Sequence, residues 1–170
     1  MKYILIFFYL NIVALLFGIE NELLYRQTVR VRAFSDGIEK PVYKKSGNER
    51  IENKVTVTVI ELSSGDIEIQ SEKFQLGKMS FFSSFQLVIP KEELCLDEGG
   101  GYLIDNLTGV YRIASSRLKA VFTGTVGLYG SNLTVTVNGM GKELSMQFYV
   151  PDEQFPKEAT MEEQSADMSE

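Results

Sequence analysis

Between residues 118 and 150 the chain alternates apolar and polar side chains with a period of two, interrupted only by short turn signals. Leu118, Ala120, Phe122, Gly124 and Val126 stand against Lys119, Val121, Thr123 and Thr125. After Gly130-Ser131 the pattern resumes as Leu133, Val135 and Val137 against Asn132, Thr134 and Thr136. Past Asn138-Gly139 it continues as Leu144, Met146, Phe148 and Val150 against Glu143, Ser145, Gln147 and Tyr149. Successive side chains of a strand point to opposite faces, so this period predicts antiparallel strands with one buried and one wet face. Gly-Ser and Asn-Gly tolerate the positive φ of hairpin turns. Asn132-Leu133-Thr134 is a glycosylation sequon, and a glycan on Asn132 places Thr134 and Thr136 outward and Leu133, Val135 and Val137 inward.

The remainder of the chain reads in the same way. Residues 26–34 form a strand with Val29, Val31 and Ala33 on one face and Arg30 and Arg32 on the other, after a short amphipathic lead-in over 19–25. Val55, Val57 and Val59 alternate with Thr56, Thr58 and Ile60, and Ser63-Ser64-Gly65-Asp66 turns that strand into a partner over 67–70. Residues 41–43 read as a brief edge strand and 44–53 as a charged loop. The window 79–85 holds Phe81, Phe82 and Phe85, which are expected to be core or to line a ligand cavity. Pro90 starts one or two helical turns within 91–97, and 98–101 is a glycine-rich break without the Lys-Ser/Thr ending of a phosphate loop. Two short strands, 102–104 and 110–113, flank a loop with a second sequon at Asn106. Helical periodicity is otherwise absent. The expected fold is mainly β with little helix: an antiparallel β-sandwich or a strongly curved antiparallel sheet of eight to ten strands.

Met1-Lys2 followed by an apolar run to Phe17 and then Gly18 has the form of a secretory signal peptide, residues 1–18. The run is shorter than the roughly 20 apolar residues that span a bilayer. A single β-rich domain over 19–150 and an acidic disordered tail over 151–170 follow. Of the 23 acidic residues seven lie in that tail. Once Lys2 and Lys157 are also set aside, the body carries 15 basic against 16 acidic residues. A near-neutral body has no basic stripe for nucleic acid. Cys95 is the single cysteine, so no intrachain disulfide forms, and its apolar neighbours Leu94 and Leu96 predict a buried thiol. The absence of histidine removes Ser-His-Asp and Cys-His catalysis and nearly every zinc site. No carboxylate pair is placed for acid–base work, no calcium loop is present, and no cofactor or metal is expected.

From Tyr111 the chain reads Tyr-Arg-Ile-Ala-Ser-Ser-Arg-Leu-Lys-Ala-Val-Phe-Thr-Gly124, then Leu128 and the alternating strand 133–137, with Ile89-Pro90 ahead of it. Over residues 85–140 this resembles the takeout and juvenile-hormone-binding proteins of the tubular lipid-binding superfamily. Val121 stands where that family tends to have proline, Val126 where it tends to have a second glycine, and its cysteine pair and long wrapped helix have no counterpart. The resemblance implies carriage of a hydrophobic small molecule or lipid, with Phe82, Phe85, Tyr111, Leu118 and Phe122 as ligand-lining residues. The expected function is that of a secreted, glycosylated, non-enzymatic binding protein with no membrane span after signal cleavage. The alternative is an extracellular β-sandwich module that binds a protein or glycan partner through loops 44–53 and 98–109.

Overall fold

The structure, a computed structural model, describes residues 20–46, 49–139 and 141–150. The signal peptide expected over 1–18 and the tail expected over 151–170 lie outside the described residues. Twelve strands occur among those described: β1 (Glu22–Ser35), β2 (Ile38–Lys40), β3 (Val42–Ser46), β4 (Glu49–Glu52), β5 (Lys54–Glu61), β6 (Ile67–Ser71), β7 (Gln75–Leu76), β8 (Ser83–Ile89), β9 (Tyr102–Ile113), β10 (Ser116–Val126), β11 (Ser131–Asn138) and β12 (Glu143–Tyr149). One 3-10 turn, Lys91–Glu93, follows Pro90 as the proline predicts.

Eight of these strands pair in the order β1-β5-β6-β8-β9-β10-β11-β12, and β12 pairs back onto β1. Of the two expected arrangements the strongly curved antiparallel sheet is the one observed, and its curvature runs to closure. The result is an up-and-down barrel in which every neighbour is antiparallel. Closure uses only the second half of β1, from Arg30 opposite Tyr149 to Ser35 opposite Leu144. Where that ladder stops, side chains take over. The Ser131 hydroxyl donates to Gln27 Oε1 at 2.8 Å, and Gln27 Nε2 donates to the Leu128 carbonyl at 3.2 Å.

Inward positions follow the period of two. Val29, Val31 and Ala33 of β1, Val55, Val57 and Val59 of β5, Leu133, Val135 and Val137 of β11, and Met146 and Phe148 of β12 are buried. Arg30, Arg32, Thr56, Thr58, Thr134, Thr136 and Gln147 lie on the outer face, half-buried or exposed. Apolar inside and polar outside is the reverse of a transmembrane β-barrel. Among the described residues no helix is long and apolar enough to cross a membrane. An eight-stranded barrel is just wide enough for side chains to fill. Here Phe85 packs edge-to-face on Phe148 and Phe122 at centroid distances of 5.0 and 5.5 Å, and Phe148 on Phe74 at 6.1 Å. Each such pair contributes about 0.5–1.5 kcal/mol beyond its area burial.

Several expectations are corrected. Where a charged loop is expected over 44–53, the described residues form two strands: β3 pairs with β4, and also with β7, in a small sheet outside the barrel wall. The strands 102–104 and 110–113 are one strand, β9. A bulge at Asp105-Asn106, with Asn106 at φ 55°, shifts the inward phase from Ile104 to Leu107, Gly109, Tyr111 and Ile113. The inserted residue breaks the alternation, and the single strand therefore reads as two. Phe81 and Phe82 are not core; they are 55% and 43% exposed. The Phe74–Ser83 bridge closes the neck of a loop, so Phe74 takes the inner position and residues 77–82 project. Cys95 is exposed rather than buried, because Leu94 packs against the core and the Cys95 carbonyl accepts from Leu103 N–H at 2.8 Å. The glycine-rich stretch is held by Asp97, whose Oδ1 accepts from Gly99 and Gly101 N–H at 2.9 and 2.7 Å. Between β11 and β12 the positive φ falls on Gly141, while Asn138 stays in the ladder opposite Glu143.

Candidate functional site

Aromatic side chains pack inside the barrel, and a cavity opens at one end. That end gathers the β1–β2 turn, the β9–β10 turn Ala114-Ser115, the β11–β12 turn and the projecting loop after β7. Between them lies a cavity of about 640 Å³, within the range of about 300–1,000 Å³ usual for small-molecule sites. Its floor is apolar. Ile113, Val137 and Leu144 reach it from the ends of β9, β11 and β12, and Leu118 from the start of β10, because each is the terminal inward position of its strand. The opposite wall is Pro41 and Tyr43 of the small sheet with Leu76 and Met79. Three lysines, Lys40, Lys78 and Lys142, also line it.

The small sheet is held against the barrel by polar contacts, several of them made by Asn53 in the bend between β4 and β5. Asn53, at φ 53°, donates its N–H to the Val42 carbonyl at 2.7 Å and accepts from Val42 N–H on its side-chain oxygen at 3.0 Å. Its own carbonyl accepts from Val31 N–H at 3.0 Å, which joins β3 to β1. Lys44 Nζ pairs with Glu72 at 2.7 Å and donates to Thr56 Oγ1 at 3.1 Å, both ionic groups being mostly buried. Gly77 N–H donates to the Pro41 carbonyl at 2.6 Å, fixing the start of the projecting loop. The wall formed by Pro41, Tyr43 and Leu76 is therefore pre-formed rather than recruited.

The lysines differ in their surroundings. Lys142 lies 3.7 Å from Asp36 across an exposed pair, which is weak in water. Among the described residues neither Lys40 nor Lys78 pairs with a carboxylate. An apolar floor with cations on its rim can hold a molecule that has a hydrocarbon body and an anionic end.

Of the five residues expected to line a ligand site, Leu118 alone lines this cavity. Phe85 and Phe122 are the centre of the aromatic core, and Tyr111 is fully buried beside Phe85's strand position. Phe82 lies in the loop beside the mouth, its carbonyl accepting from Ala114 N–H at 3.1 Å. The sequon residues Asn106 and Asn132 are both exposed. Sequence reasoning missed the lysines and the small sheet. The lysines are separated by 38 and 64 positions along the chain, and no local pattern signals that they converge.

Tyr111 is unusual within the core. Its hydroxyl and that of Ser83 are buried without a hydrogen-bond partner, as is that of Tyr25. Burial pushes the Tyr111 phenol up to about 12, with the nearby Ser83 hydroxyl drawing it partly back although the two make no well-aligned hydrogen bond. Burial raises Tyr25 further. An unfolded tyrosine titrates near 10, so the folded chain holds these protons longer. Stability is then fully present below about pH 10 and falls as pH rises toward 12, by about 1.4 kcal/mol per unit for one tyrosine. Tyr111→Phe is expected to leave stability at pH 7 unchanged or raise it by up to about 1 kcal/mol. It should also flatten the alkaline loss, read from urea midpoints at pH 8 and pH 11.

A second depression of about 620 Å³ lies on the outer wall toward the other end, lined by Arg32, Asp97, Tyr129, Asn132, Gln147 and Tyr149 among others. It is more open and more polar than the lysine-rimmed cavity, and Arg32 is already engaged by Glu39 at 3.0 and 3.3 Å. Asn132 sits in its lining, so a glycan there would fill it. Among the described residues no group of three or more His, Cys, Asp or Glu is placed to hold a metal ion. Comparison of the chain with known protein families, with curated proteins and with solved structures finds no match to any of them.

Proposed function

We infer that this protein is an exported, non-enzymatic carrier of a small amphipathic molecule, a hydrocarbon body with an anionic head of the fatty-acid kind. The observation that carries this reading is the pre-formed apolar cavity of about 640 Å³ with Lys40, Lys78 and Lys142 in its lining. Burial of the hydrocarbon on Leu118, Ile113, Val137 and Leu144 supplies affinity at roughly 25 cal/mol per Å². A carboxylate at the rim gains charge-assisted hydrogen bonds from ammonium groups. The resemblance of residues 85–140 to takeout and juvenile-hormone-binding proteins points to the same ligand class. That family's wrapped helix has no counterpart among the described residues, so the ligand site here is the barrel mouth. Asn106 lies mid-barrel and Asn132 toward the far end, so glycans on either leave the mouth clear.

Titration with a fluorescent fatty acid is expected to show one saturable site. In the Lys40→Glu, Lys78→Glu double variant the acid should bind about tenfold or more weakly, the worth of a charge-assisted contact, while the corresponding alcohol binds as before. Equal losses for acid and alcohol would remove the anionic head from the reading. Lack of saturable binding by the folded protein would sink it and return function to the surface loops.

A further inference from the structure

The loop after β7 is built against the usual logic of a water-facing turn. Met79, Phe81 and Phe82 are 40%, 55% and 43% exposed, side by side along a few residues, and Lys78 precedes them. The Phe74–Ser83 bridge pins the loop's base, and the Met79 N–H bond to the Leu76 carbonyl at 3.1 Å shapes its start. The aromatic residues are thus held outward by a closed neck. They lie beside the mouth of the cavity, since Met79 lines it and Phe82 bonds the turn that follows Ile113.

Charge is sorted along the barrel axis in the same sense. At the loop's end Lys40, Lys73, Lys78 and Arg117 have no carboxylate within ion-pair distance among the described residues. Three of the acids at that end are already matched, Glu72 by Lys44, Glu39 by Arg32 and Asp36 by Lys142, while Glu52 and Glu143 have no ion pair among the described residues. The opposite end carries Glu22, Glu61, Asp66, Glu92, Glu93 and Asp97 with Lys91 among them. A basic end that projects apolar side chains is complementary to an anionic lipid surface: the rings enter the head-group region and lysines stay at the phosphates. The opposite, acidic end is repelled by the same surface, which sets the orientation.

We propose that residues 77–82 dock this protein on anionic lipid bilayers, Phe81 and Phe82 inserting at the head-group level with the cavity mouth facing the membrane. The docking rests on the loop and the charge sorting, and does not depend on what the cavity holds. Orientation of the mouth toward the bilayer would let an amphipathic ligand pass between membrane and cavity without crossing bulk water.

Co-sedimentation with vesicles of equal parts phosphatidylcholine and phosphatidylglycerol, against vesicles of phosphatidylcholine alone, tests it. The purified protein is expected to bind the anionic vesicles at least about tenfold more tightly, and less so as salt is raised. The Phe81→Ser, Phe82→Ser double variant should lose at least about tenfold of that binding. Its side chains are 55% and 43% exposed and lie outside the core, so the far-ultraviolet circular dichroism and urea midpoint of the variant should match those of the unaltered protein and report that it is folded. The chain has no tryptophan, so Phe81→Trp supplies a single reporter whose emission should shift to the blue on anionic vesicles. Failure to bind anionic vesicles, equal binding to both compositions, or undiminished binding by the double variant would each overturn the proposal. So would a concentration-dependent dimer, lost in the double variant, in place of vesicle binding; the loop would then serve a second copy of the chain. None of these results bears on whether the cavity binds its ligand.

Discussion

Gly124→Ala is expected to lower the stability of the barrel by about 2–6 kcal/mol. Gly124 sits in the middle of β10 at φ +125°, a conformation that side chains rarely adopt, where β9 bulges against it. Backbone strain of that kind costs on the order of 1–3 kcal/mol. The added methyl would also fall on the Asn132 carbonyl oxygen and come within 3.2 Å of Leu133 Cα, both belonging to the neighbouring strand. Backbone cannot swing aside as a long side chain can, and overpacking of this sort adds about 1–3 kcal/mol. A domain of this size has only about 5–15 kcal/mol to lose. Gly37→Ala is the control: φ is +76° but a Cβ would meet nothing within 4 Å, so strain alone applies, worth about 1–2 kcal/mol. Urea denaturation should rank the two clearly. A Gly124→Ala midpoint no lower than that of Gly37→Ala would show that the bulge relaxes and that the β10–β11 contact is not tight.

Leu118→Asp is expected to weaken binding of a fluorescent fatty acid by about a hundredfold or more. Leu118 is half-buried on the cavity floor, its Cδ2 3.5 Å from where a Cβ on Gly139 would stand. A carboxylate there must be desolvated by the hydrocarbon chain it meets, and it repels an anionic head group. Each tenfold is about 1.4 kcal/mol, and a single ill-placed charge readily reaches twice that. Leu118 retains solvent contact in the free protein, so the variant should fold. Phe85→Leu supplies the contrast. Phe85 is in the aromatic core and not in the cavity, so the substitution should lower stability while affinity stays within about twofold. The reverse outcome, with Phe85→Leu abolishing binding and Leu118→Asp tolerated, would place the ligand in the barrel interior instead of at its mouth.

Chain pattern alone was a reliable guide wherever alternation ran unbroken. The inward faces of β10, β11 and β12, and the core positions of β1 and β5, follow directly from the period of two, because burial of alternate side chains is what holds a one-sided strand in place. The same rule failed at β9, where one inserted residue at Asp105-Asn106 reverses the phase, and at 44–53, where charged residues pair as strands outside the main wall. Phe81, Phe82 and Cys95 show the limit of composition. Their character suits a core, yet the inward places were already occupied by Phe74, Phe85 and Leu94. A core has a finite volume, and which candidates fill it is settled by competition across the whole chain.

What the amino-acid order by itself determined, then, is the class of structure and the facing of its best strands: local backbone preference and the two-residue period need no distant partner. Closure of β12 onto β1 joins segments more than a hundred positions apart and was decided only in three dimensions. So was the mouth of the barrel, where Lys40, Lys78 and Lys142 meet the terminal inward residues of four strands. Each of those lysines stands in an ordinary polar turn or strand end, and only the closed ring of strands gives them a common cavity to surround.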